Sequence, residues 1–109
     1  MKRILYSSGS VLTGDRVARA VVQYATALVN NRSADAVTIP VAGEGASGAV
    51  EMLIGPASQL LVEDAGPDPA DLDHTTAVAE IQRRIDRIER PAPIEAVLRG
   101  SNLEAFEIL

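Results

Sequence analysis

The sequence has no cysteine, no tryptophan, one histidine, one lysine and three aromatic residues in 109 positions. Without cysteine there is no thiol nucleophile, iron–sulfur cluster, thiolate zinc site or disulfide framework. With His74 the sole imidazole, every histidine-based general base or triad has to run through it. Its only near hydroxyls are Thr75 and Thr76, and a solvated surface histidine accounts for it better. Three aromatics and one lysine do not make a stacking groove for nucleic acid. No stretch approaches the roughly 18 apolar residues of a membrane span. Ile4-Leu5-Tyr6 behind Lys2-Arg3 is also too short for the apolar region of a signal peptide.

What is present is close to an ordinary globular chain: 47% hydrophobic, 23% charged, net charge −5. Such a length supports one domain. The charge is uneven. Residues 1–55 hold five basic and four acidic groups, residues 56–109 five basic and eleven acidic. An acidic balance disfavours phosphate backbones and anionic lipid, so neither nucleic acid nor membrane is an expected partner. Nine arginines to one lysine fit a GC-rich, bacterial codon usage, and the expected location is the cytoplasm.

The hydrophobic pattern predicts the order β-α-β-β-β-α-α. Strands are expected over residues 3–8, 36–41, 49–54 and 59–63, and helices over 14–31 and 75–89, with a short helix ending at Gly100. Polar residues in the first helix form one narrow stripe (Arg16, Arg19, Gln23, Thr26, Asn30), so a second element besides the sheet has to cover it. The second helix offers the seam Val78, Ile81, Ile85 and Ile88, spaced 3, 4, 3. Pro91 and Pro93 stop that helix. Alternation places Val50, Met52, Ile54, Leu60 and Val62 on one sheet face. Leu5, Leu53 and Leu61 fall on the other, otherwise polar, face. The first crossover would make strands one and two parallel, and the short Gly55–Ser58 connection suits a hairpin. The expected fold is a small two-layer α/β (α+β) sandwich, with a mixed four-stranded sheet and helices mainly on one face. Residues 1–63 form the sheet and first helix, 64–74 an acidic Pro-rich connection, and 75–109 a helical C-terminal part.

Three stretches of the chain invite a functional reading. Ser8, Gly9, Ser10, Thr13 and Gly14 lie in a segment expected to run strand–loop–helix, an arrangement that presents backbone amides and a helix dipole to an anion. The segment matches no phosphate-loop or dinucleotide signature, and Asp15 opposes an anion there. The acidic residues Glu63, Asp64, Asp68, Asp71 and Asp73 lack the spacing of a calcium loop. Asp73 or Thr75 serves better as a helix N-cap. Arg83, Arg84, Arg87 and Arg90 line the second helix, with Glu80 four residues before Arg84 and Asp86 four before Arg90, the order of a self-paired solvated face.

The apolar excess is the stronger signal: the seam Val78, Ile81, Ile85 and Ile88, the exposed-face Leu53 and Leu61, and the apolar tail from Ile94 to Leu109. These observations point away from an enzyme, with no metal and no cofactor. They favour a protein-interaction module that self-associates as a homodimer or meets another protein. The competing expectation is a small phosphate- or carboxylate-binding protein, or a weak hydrolase, using residues 7–15.

Overall fold

In Lys2–Tyr6, Ile4 is fully buried while Leu5 is only half covered, the two-residue alternation of a strand with one face on a core. After Ser7 the chain folds back, and Gly9–Thr13 pairs with Lys2–Tyr6 as a second strand. The computed structural model describes residues 1–7, 9–42, 48–68 and 75–89, and it holds five strands and two helices among them. They are β1 (Lys2–Tyr6), β2 (Gly9–Thr13), α1 (Asp15–Asn30), β3 (Asp35–Val41), β4 (Gly48–Ile54), β5 (Leu61–Asp64) and α2 (Thr75–Glu89).

The α+β class, with helices packed on a sheet layer, is as expected, but the strand pairing is not. β1 lies between β2 and β5 and is antiparallel to both, with Leu5 opposite Ser10 on one side and Leu61 on the other. β3 pairs with β4, again antiparallel, placing Val37 opposite Met52 and Asp35 opposite Ile54. Three corrections follow. The sheet is not one mixed four-stranded unit but a three-stranded and a two-stranded antiparallel sheet. β1 and β3 are not neighbours, so the parallel crossover does not form. The Gly55–Ser58 connection closes no hairpin; it carries the chain from β4 over to β5. The two sheets meet where the Ala42 amide donates to the Leu12 carbonyl at 2.8 Å. There the buried Thr13 hydroxyl donates to the Pro40 carbonyl at 2.7 Å.

The faces were assigned correctly even where the partners were not. Val37, Ile39, Val41, Met52 and Ile54 are buried, and Val50, Leu60 and Val62 pack against the same cluster. α1 supplies Val17, Ala18, Val21, Tyr24 and Leu28, and α2 closes its second side with Ile81 and Ile85. The partner that α1 required is therefore α2 of the same chain. α1 ends in a hydrogen-bonded reversal: the Ser33 amide donates to the Leu28 carbonyl and the Arg32 amide to Val29. This holds Arg32 at φ 53°, a left-handed conformation usually left to glycine.

The turn after α1 also meets the end of β4. A Cβ built on Gly55 would lie 2.7 Å from the Cβ of Ala34 and 3.2 Å from its Cα. Gly55→Ala is expected to destabilise the fold by about 1 kcal/mol, the low end for overpacking because the Ala34 turn is exposed and can yield. A thermal melt of the variant checks this, and an unchanged or raised Tm would contradict the close approach.

Candidate functional site

The residues proposed to cradle an anion do not sit in a loop. Gly9, Ser10 and Thr13 belong to β2, and only Gly14 remains between strand and helix, as the N-cap of α1 without a side-chain cap bond. Ser8 lies outside the described residues. The helix N-terminus already faces negative charge from this chain. The Asp68 carboxylate accepts from the Asp15 amide at 3.2 Å. The α-ammonium of Met1 lies 2.6 Å from Asp68 and 2.7 Å from Asp15, and those carboxylates, Asp15 first, raise its pKa. A helix dipole satisfied in this way has little left to offer a phosphate. Asp71, Asp73 and His74 lie outside the described residues, among which no group of three metal-ligating side chains comes together.

The apolar candidates divide. Ile81 and Ile85 are 2% and 5% exposed and belong to the core, with Val78 and Ile88 partly buried beside them. As a surface for another subunit this seam is spent, because α1 covers it. Leu53 and Leu61 remain open, at 72% and 61% exposure. On the outer face of the three-stranded sheet, Leu61 stands directly across from Leu5, and Leu12 lies diagonally next to it. On the same face Arg3 pairs with Glu63 at 3.2 Å; Lys2 pairs with Asp64 on the Ile4 side of the sheet. β5 and β4 are paired on one side only among the described strands, so each presents an open edge.

A groove of about 460 Å³ is lined by Tyr6, Glu51, Leu53, Gln59 and Leu60, among others, bringing β1 and β4 together with the chain that leads into β5. Among the described residues its lining includes one carboxylate, Glu51, and no lysine or arginine. Ser58, one of its hydroxyls, is committed to the turn, accepting from the Gly55 amide at 3.1 Å. Such a lining can recognise by shape and hydrogen bonding.

One polar constellation was not legible in the sequence. Asp35 Oδ2 accepts from the Tyr24 hydroxyl at 2.6 Å and from Arg84 at 2.7 Å, and Oδ1 accepts from the Ala36 amide at 2.9 Å. Arg84 also donates to the Ala36 carbonyl and, as its helical spacing suggests, to Glu80 at 3.0 Å. The Tyr24 hydroxyl, followed by the Ala36 amide and Arg84, holds the Asp35 carboxyl below its usual range. Burial and then Asp35 push the Tyr24 hydroxyl up. With every acceptor partnered and Tyr24 kept neutral, the cluster ties α1, α2 and β3 together and does not resemble a catalytic pair.

A second motif is present in letters only. Gly43-Glu44-Gly45-Ala46-Ser47-Gly48 reads G-x-G-x-x-G, but it joins the antiparallel β3 and β4 where a dinucleotide site needs a helix to follow. Among the described residues, no helix is long and apolar enough to cross a membrane. Comparison with protein-family models, curated proteins and solved structures found no match to this chain.

Proposed function

We propose that this protein is a non-enzymatic interaction module that self-associates through the outer face of its three-stranded sheet and the neighbouring Leu53. The observation that carries the reading is the pair of leucines, Leu53 and Leu61, left 72% and 61% exposed beside open strand edges, the most exposed large apolar side chains among the described residues. A second copy is the occupant that suits this face. The chain as a whole is acidic, yet on this face Arg3 is paired with Glu63, so that pair adds no net charge where two copies would meet. A symmetric contact needs only one self-complementary patch, and exposed leucines beside a paired Arg3 and Glu63 offer one.

The test is sedimentation of the protein and its Leu53→Arg/Leu61→Arg variant over a concentration series. The native chain is expected to shift from monomer to dimer with concentration. The variant is expected to stay monomeric with an unchanged Tm, since both positions are exposed. A native chain that is monomeric throughout, or a variant that dimerises as well as the native chain, would remove the reading.

A further inference from the structure

We infer that the C-terminal segment, residues 94–109, docks in cis into a second apolar groove, the one between α1 and Leu60. This surface is separate from the dimer face. Although α1 is covered by the sheets and by α2, Val22 and Val29 are left 40% and 46% exposed. With Ala25, Thr26, Ser58 and Leu60 they line a groove of about 260 Å³ that contains no charged residue. That volume falls below the ~300–1,000 Å³ of small-molecule pockets. It suits one or two side chains of a peptide segment better than a metabolite.

The end of α2 says which segment. Glu89, its last residue, borders a hollow together with Val22, Gln23 and Thr26, and Val22 and Thr26 also line the groove. The chain therefore leaves α2 at the groove's entrance. In the sequence Pro91 and Pro93 come next, residues that do not continue a helix, and Ile94, Val97, Leu98, Leu103, Phe106, Ile108 and Leu109 follow. Residues 90–93 reach about 13 Å when extended. The stretch from Val22 to Val29 is seven helical steps, about 10 Å. The first apolar residues of the segment therefore arrive with the groove in reach. A tethered segment also competes at about millimolar effective concentration, which a separate copy at micromolar concentration does not match.

Because the chain has no cysteine, a single introduced thiol reports on this groove without background. In the full-length Val29→Cys variant, and in Val22→Cys as a second reporter, labelling by an aromatic disulfide reagent is followed with and without Leu103→Ser/Phe106→Ser in the same chain. If the segment is docked nine-tenths of the time, labelling is slowed roughly tenfold. The tail substitutions are then expected to restore that factor, equally at every protein concentration and with unchanged circular dichroism. Equal labelling rates with either tail would overturn the proposal. So would protection that grows with protein concentration, which would put a second copy in the groove. Neither result depends on the leucine face, so the two readings fail separately.

Discussion

Ile81→Ala is expected to lower stability by about 2–5 kcal/mol, the cost of removing a large aliphatic side chain from a packed core. Ile81 is 2% exposed and sits with Ile85 against Val17, Val21 and Tyr24 in the same core cluster. Domains of this size hold only about 5–15 kcal/mol in all, so a large share goes with one residue. With urea slopes of about 1–3 kcal/mol per molar, the unfolding midpoint should fall by on the order of 1–3 M. The oligomeric state of the folded variant should not change. If the seam joined two subunits, the loss would appear as weaker association and a midpoint that depends on protein concentration. Urea titration at two concentrations separates the outcomes, and a concentration-dependent loss would contradict packing of α2 on its own α1.

Tyr24→Phe is the second large effect, and it carries a pH signature. The variant keeps the buried ring and deletes only the hydroxyl that donates to Asp35 at 2.6 Å. Hydrogen bonds to charged groups contribute about 1.5–3 kcal/mol, and the low end applies because the Asp35 side chain is 38% open to water. The sign of the pH dependence follows from the direction of the Asp35 shift. Its pKa in the folded protein is depressed, so the stability it supplies is fully present above its unfolded value of about 3.9 and is lost as pH falls through the lower folded value. Without the Tyr24 hydroxyl, the largest of the depressing influences is gone and the two values draw together. Tyr24→Phe should therefore be destabilised near neutral pH and approach the native protein as pH falls through the depressed folded value. Denaturation curves across that range provide the check. A constant gap between the proteins at all pH values would show that the hydroxyl does not act through the Asp35 charge.

Much of the local structure was legible. The polar stripe from Arg16 to Asn30 and the isoleucine seam marked both helices to within a residue or so, because a 3.6-residue period shows in sequence whatever it packs on. Alternation likewise revealed which side chains of β4 and β5 point inward. Strand pairing was not legible in the same way. The Gly55–Ser58 connection is short enough for a hairpin yet closes none, while β4 pairs with the preceding β3 instead. β2 was missed because Gly9 and Ser10, punctuated by Gly14, carry loop-forming residue types. Its strand character comes from pairing with β1 and from burial of Thr13.

The candidate sites divide along the same line. Composition alone removed thiol chemistry and left histidine chemistry to one residue, since an absent side chain is absent in any fold. The periodicity of α1 alone required a second cover. Which segment covers it, that Asp68 faces the helix N-terminus where an anion was expected, and that Asp35 gathers Tyr24 and Arg84 from two helices were decided by contacts across 11 to 53 residues of sequence. Such contacts form only when the burial of the whole core outweighs the chain entropy of closing those loops. That balance belongs to the assembled structure and leaves no local trace in the order of residues.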